Sequence, residues 1–210
     1  MNRHLNIYLA RHGQDEDNAN FILNGRRDTL LTNKGIKQAL ELAQKIKSTG
    51  TYFDKVYTSP LQRAYQTAEI ITDTLGIPKP EVLEDLTERD FGAMTGKPHA
   101  QIEKACSPDI LKTKTVTYFL SPGGAETFPQ LIGRAKKLLR LLHKLHSNGN
   151  ILLVSHGDFG SMLYCAYYKS DWKDVLKMFH FDNSDLLLMS PDSSDKDVYV
   201  FRTKQHNYKI

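Results

Sequence analysis

Two short, mostly apolar runs in this chain end in the same dipeptide, and that repetition constrains the fold more than any other feature. Leu5–Ala10 leads into Arg11-His12-Gly13, and Asn150–Ser155 leads into His156-Gly157. Runs of this length are too short for helices and read as buried strands. Lys55–Thr58 reads as a third strand and stops at Ser59-Pro60. Helical patterns lie between them. Thr32 reads as the N-cap of a helix with Ile36, Leu40, Ala43 and Ile46 at helical spacing. Ser59 reads as an N-cap, with Pro60 at the first helical position and Gln62 closing a capping box; that helix should run to Leu75 and stop at Gly76. An amphipathic helix is expected over about Phe128–His146, with Leu131, Ala135, Leu138, Leu142 and Leu145 on one face. Shorter helices are expected at Ser161–Tyr168 and Trp172–Phe179, then a hairpin of Asp185–Met189 and Val198–Thr203 around Pro191 and Asp192.

Alternating strands and helices predict an α/β fold: a three-layer sandwich with a largely parallel sheet and helices on both faces. Residues 1–210 read as one domain, with an irregular excursion at about 78–125 covering the active site. In such folds the working crevice lies at the carboxyl ends of the strands. Arg11-His12-Gly13, His156-Gly157, and Ser59-Pro60 with Arg63 one turn later should therefore converge.

Composition narrows the function. With 40% hydrophobic and 25% charged residues, the chain is neither disordered nor membrane-spanning. Its net charge of +4 is mild and its cations are scattered, so neither nucleic acid nor membrane is expected as a partner, while a small anionic substrate suits the balance. Cys106 and Cys165 form neither a metal spacing nor a disulfide framework, and the first apolar run is too short for a signal segment. A cytoplasmic monomer or homodimer is expected.

The converging set offers two imidazoles, two guanidiniums and a helix N-terminus. Arginine forks match phosphate oxygens, a helix N-terminus adds free N–H groups, and an unshifted imidazole is largely neutral at pH 7 and able to attack phosphorus. A leaving alkoxide needs a proton, which a carboxylic acid held neutral by burial can supply.

The order of blocks resembles that of the histidine phosphatase superfamily, the phosphoglycerate mutase-like proteins. Arg11-His12-Gly13 follows a strand, and Asn18 falls six residues after His12. NGRRDTLLTNKGIKQA (Asn24–Ala39), TSPLQRAYQTAEI (Thr58–Ile70), LTERDFGAMTGK (Leu86–Lys97), PGGAETF with Arg134 downstream, and LLVSHGDFG complete the order. The resemblance implies a phosphoglycerate mutase-like fold with no cofactor and no metal, and it implies roles. His12 would be the nucleophile that becomes phosphohistidine. Arg11, Arg63 and His156 would grip the phosphoryl oxygens, and Glu88 would serve as the acid and then the base. Gln14, Asn18, Gly25 and Gly157 would bind substrate, with Gly13 letting the backbone pass close beneath the phosphate. The expected activity is hydrolysis of a small phosphorylated substrate.

One departure stands out: where the family commonly has Ser or Thr two residues after Gly13, this chain has Asp15. A carboxylate there would repel an anionic substrate unless it points away or pairs with Arg26 or Arg27. The whole run Asp15–Asp17 reads most simply as a solvated loop. Three rival functions fit the sequence less well. A metallohydrolase using His12, Asp15, Asp17, His156 and Asp158 lacks a compact ligand triplet and would set arginines beside a cation. A serine hydrolase built on Ser155 meets Leu153 where the nucleophile elbow wants glycine. A non-catalytic phospho-ligand-binding protein would be expected to lack one of the five key groups, and none is missing. Between mutase and phosphatase, the excursion's basic residues Lys97, Lys104, Lys112 and Lys114 are sparse cover for a second anionic end, which favours phosphatase; His99 with Lys97 would be within reach of a substrate.

Overall fold

The computed structural model describes residues 4–178, 180–193 and 199–201. In chain order, β1 is Leu5–Arg11, α1 Glu16–Ala19, α2 Asn33–Ser48, β2 Lys55–Thr58, α3 Gln62–Leu75 and β3 Glu81–Val82. Across the excursion come short 3-10 turns, α4 (Ile102–Cys106) and the strands β4 (Ile110–Lys112) and β5 (Thr117–Phe119). Then follow α5 (Phe128–Leu145), β6 (Gly149–Ser155), α6 (Gly157–Tyr168), α7 (Trp172–Met178), β7 (Leu186–Met189) and β8 (Tyr199–Phe201).

Six strands form one sheet in the order β3-β2-β6-β1-β7-β8. The first four are mutually parallel, while β7 runs antiparallel to both β1 and β8. Alternation along each strand divides the core into two layers. Ile7, Leu9, Ile151, Leu153, Leu187 and Met189 face α5, α6 and α7. Ala10, Val56, Leu152, Val154 and Leu186 face α2 and α3. A sheet buried on both faces explains why its strands are nearly continuous apolar runs. The fold is thus the expected α/β sandwich with a mostly parallel sheet.

Several local expectations change. On α2 the inward residues are Gly35, Gln38, Ala39, Leu42, Ala43 and Ile46, and Ile36 and Leu40 are each 40% exposed. The helix is rotated because its first turn docks on the β1 loop. A Cβ on Gly13 would lie 2.4 Å from the Gly35 carbonyl oxygen, and the Gln38 side chain accepts from the Gln14 N–H at 2.8 Å. Gly13 is therefore needed by a neighbouring helix, and not only by a ligand as the sequence suggested.

At α3 the expected capping box does not form. The N-cap is Leu61, and the Gln62 amide and side chain both bond the Asp28 carboxylate, at 2.7 and 3.0 Å. The capping box occurs instead at α5, between Thr127 and Gln130. Leu145, expected on the inner face of α5, is 54% exposed. Helix α6 begins at Gly157 rather than Ser161, which makes His156 its N-cap. The expected limits Phe179, Val198 and Thr203 lie outside the described residues. Among the described residues no helix is long and apolar enough to cross a membrane.

Candidate active site

β1 and β6 are neighbours in register, with Arg11 opposite Ser155, so the two His-Gly pairs leave the sheet side by side. The His12 and His156 rings lie 5.1 Å apart, centroid to centroid. Both are buried. His12 Nδ1 lies 2.6 Å from the Gly13 carbonyl oxygen. A carbonyl can only accept, so Nδ1 carries the proton and Nε2 keeps its lone pair. Burial first, and then the Arg63 and Arg11 guanidiniums, hold the ring's pKa well below the usual histidine value. His12 is therefore a neutral imidazole with Nε2 presented for attack.

Arg63, on the first turn of α3, is fully buried. Its Nε donates to His12 Nε2 at 3.2 Å, Nη1 to the Arg27 carbonyl at 2.6 Å and Nη2 to the Gly25 carbonyl at 2.8 Å. One N–H on each terminal nitrogen remains for a phosphoryl oxygen. Gly25 thus contributes by orienting Arg63, and its positive φ of 51° is what turns that carbonyl inward. Asp15 stands 3.2 Å from Arg63 Nε. It also accepts from the Asn18 N–H at 2.7 Å and the Asn24 amide at 2.8 Å, and stands 3.9 Å from His12 Nδ1. The acidic run is accordingly not a solvated loop. Asp15 and Asp17 are buried, and Asp17, not Asp15, pairs with Arg27, at 2.8 Å.

His156 is anchored from the neighbouring loop. Its Nε2 lies 2.8 Å from Ser59 Oγ, and Ser59 Oγ accepts from the Leu61 N–H at 3.2 Å. With the Ser59 hydroxyl proton directed at Nε2, the ring's own proton sits on Nδ1. Nδ1 is buried and has no partner, and the same holds for Arg11 Nε. Buried donors left unpaired are costly, and two at one site mark a place for an anion. Burial and then Arg63, His12 and Arg11 hold the His156 pKa well below its usual value.

Glu88 meets this cluster from the excursion. Its Oε1 accepts from the Arg89 N–H at 2.8 Å and the Phe159 N–H at 2.9 Å, and its Oε2 accepts only the longer 3.2 Å bond from the Asp158 N–H. Burial, and second the Asp158 carboxylate, raise its pKa; the Arg89 and Phe159 amides and Arg63 oppose them. The less saturated Oε2 is the natural seat of the proton.

A cavity of about 80 Å³ opens beside these groups. Arg11, Asn18, Glu88 and Gly157 form its inner wall, while His12, Arg63 and His156 are buried next to those residues. Asn18 is held by a 3.1 Å bond from Asn183, whose side chain also donates to the His12 carbonyl at 2.9 Å. The Gln14 side chain accepts from the Thr32 hydroxyl at 3.0 Å, at the start of α2, and like His12, Arg63 and His156 it is not on the cavity wall. Gly25 also stays behind the wall. His99 lines the cavity and Lys97 does not. The sequence marks Ser59 only as a helix cap and not as an anchor for His156, offers Asp158 only as a metal ligand, and does not single out Arg89 or Asn183. Their roles depend on contacts between distant segments and leave no local signal. Among the described residues no group of three or more His, Cys, Asp or Glu side chains is placed to hold a metal ion.

Residues 7–203 match the model of the Histidine phosphatase superfamily (branch 1). A 2,3-bisphosphoglycerate-dependent phosphoglycerate mutase of Parvibaculum lavamentivorans is 31% identical over 82% of this chain and 84% of its own. A phosphoserine phosphatase of Entamoeba histolytica, solved with 3-phosphoglyceric acid, superposes with a TM-score of 0.71 at 28% identity, covering 88% of this chain and 89% of that one. A mycobacterial glucosyl-3-phosphoglycerate phosphatase shares the fold with a TM-score of 0.76 at 23% identity, over 90% and 91% of the two chains.

Proposed function

Because the chain belongs to the histidine phosphatase superfamily, branch 1, we propose that it is a metal-independent phosphomonoester phosphatase working through a phosphohistidine on His12. The observation that carries this reading is the pair of orphaned buried donors, Arg11 Nε and His156 Nδ1, beside an imidazole whose Nε2 is free of its proton.

In the first half-reaction His12 Nε2 attacks phosphorus. An N–P bond forms as the ester P–O bond breaks, and the leaving oxygen takes the proton from Glu88. Arg11, Arg63 and His156 Nδ1–H stabilise the charge on the phosphoryl oxygens, which is most of what phosphoryl transfer requires. In the second half-reaction water attacks phosphorus and gives its proton to the Glu88 carboxylate. The N–P bond breaks and inorganic phosphate leaves, which restores both residues. The raised pKa of Glu88 suits a group that must be an acid first and a base second.

A second reading, phosphoglycerate mutase, is favoured by the name of the Parvibaculum relative. A mutase must also bind a second anionic end, and Lys97, Lys104, Lys112 and Lys114 all lie off the cavity wall. Hydrolysis is therefore the better-supported chemistry. The test is release of phosphate from an aryl phosphate in excess EDTA, wild type against His12→Ala. Activity that survives the chelator and disappears in the variant is expected. Loss to EDTA overturns metal independence, and interconversion of 2- and 3-phosphoglycerate with little phosphate release overturns hydrolysis in favour of the mutase.

A further inference from the structure

Asp15 stands where the family commonly has Ser or Thr, and it is fully buried. Neither half-reaction uses it. Its Oδ2 lies 3.2 Å from Arg63 Nε and 3.9 Å from His12 Nδ1, so one carboxylate oxygen faces both the clamp and the nucleophile. The Asn18 N–H and the Asn24 amide hold the group in place at 2.7 and 2.8 Å.

Arg63 Nε carries a single proton, and two acceptors stand at the same distance from it. That N–H donates to His12 Nε2 at 3.2 Å, which ties up the lone pair that must attack phosphorus. Asp15 Oδ2 is the alternative, also at 3.2 Å. The Arg63 terminal nitrogens are fixed to the Arg27 and Gly25 carbonyls, so the choice is one of tilt and not of translation. Burial disfavours the charged forms of Asp15 and Arg63, and each is foremost among the charges that oppose this for the other.

We infer that Asp15 is a positioning residue for His12 that acts through Arg63. As phosphorus meets Nε2, the Arg63 Nε–H turns to Asp15 Oδ2 and the lone pair is released. The N–P bond forms, the ester P–O bond breaks and the leaving oxygen takes its proton from Glu88; the Arg63 proton stays on Nε throughout. His12 keeps its Nδ1 proton, so the phosphorylated ring is positive, and the Asp15 carboxylate beside it offsets that charge. When water has cleaved the N–P bond, Nε2 regains its lone pair and the N–H returns. The inference rests on the phosphohistidine reading of His12.

With saturating enzyme in excess over p-nitrophenyl phosphate, release of p-nitrophenol reports transfer to His12 alone, and competition by inorganic phosphate reports anion binding. Asp15→Asn is expected to slow that release by roughly 10–100-fold, the range for one hydrogen bond to a charged group. It also removes a negative charge near the anion, so phosphate should bind at least as tightly as to wild type. A purely structural loss would weaken both together. Asp15→Ser, which keeps a cap acceptor for the Asn18 N–H, should show the same split and serves if Asp15→Asn does not fold. Release unchanged or faster in the variants overturns the inference, since the Arg63 proton would then pass to a phosphoryl oxygen instead. Slower release with phosphate binding weakened in step also overturns it. No p-nitrophenol from wild type, or release undiminished in His12→Ala, overturns the phosphatase reading itself.

Discussion

The same dipeptide ends β1 and β6, yet the two turns present opposite nitrogens to the site. His12 is anchored from within its own turn, through Nδ1 to the Gly13 carbonyl, and offers Nε2 as a lone pair. His156 is anchored from the loop after β2, through Nε2 to Ser59, and offers Nδ1 as a donor. The backbones differ in the same sense. After His12 the chain enters the four-residue α1, whose N-terminus is closed by the Asp15 side chain. After His156 it enters the twelve-residue α6 directly, and the first amides of that helix are taken by Glu88. One turn is built as a nucleophile and the other as an electrophilic clamp. Which imidazole nitrogen is tied back decides the role, because the remaining nitrogen is the only one left for chemistry.

Mutation of each turn tests that division. His12→Ala removes the attacking atom and should lower kcat on an aryl phosphate by roughly 10⁴-fold or more; comparable losses from His12→Ala and His156→Ala would erase the distinction. Glu88→Gln, acting where the two turns meet, should cost roughly 10²–10⁴-fold on an alkyl phosphate and far less on an aryl phosphate, which leaves without a proton. The pH profile carries the matching sign. Burial raises the Glu88 pKa, so activity on alkyl esters should persist above the ordinary carboxylate range and fall as pH rises through that raised value. An alkaline limb equally steep for aryl esters would count against Glu88 as the acid.

His156→Ala removes one donor to the transition state and should cost roughly 10²–10³-fold in kcat. Ser59→Ala leaves the ring in place and loses only its anchor. A hydrogen bond of about 0.5–1.5 kcal/mol predicts a loss of roughly 2–13-fold, in kcat more than in KM, with partial recovery in Ser59→Thr. No change in kcat would show that packing alone orients His156.

The smallest effect is on stability. Both histidines have folded pKa values below their ordinary value of 6.5, so below that pH the unfolded chain binds protons that the folded chain refuses. Stability should therefore fall as pH drops from about 6.5, by at most about 1.4 kcal/mol per pH unit for each ring. Urea midpoints at pH 7 and pH 5.5 would reveal it, and a slope unaltered in a His12→Gln, His156→Gln double variant would assign the acid sensitivity elsewhere.

Much of this was legible in the chain itself. Strand ends are marked by abrupt polarity changes, so the convergence of Arg11, His12, Arg63 and His156 at one sheet edge followed from alternation alone. Asp15 was legible as a departure, but its partner was not. Arg26 and Arg27 were nearer in sequence, whereas the buried guanidinium that meets Asp15 is Arg63, on another helix. Gln14 shows the converse, a polar residue inside the motif whose side chain meets the start of α2. Helix starts were hard to place for a similar reason: α3 is capped by Asp28 from a distant loop.

The order of apolar runs and their polar ends by itself determined the sandwich, its sheet edge and the residue types gathered there, because periodicity and burial are local properties of the chain. Only the tertiary structure decided which histidine nitrogen faces the site, which carboxylate pairs with the buried arginine and which stands at the cavity wall. Those outcomes depend on a single hydrogen bond or on desolvation, and both are set by segments tens of residues apart.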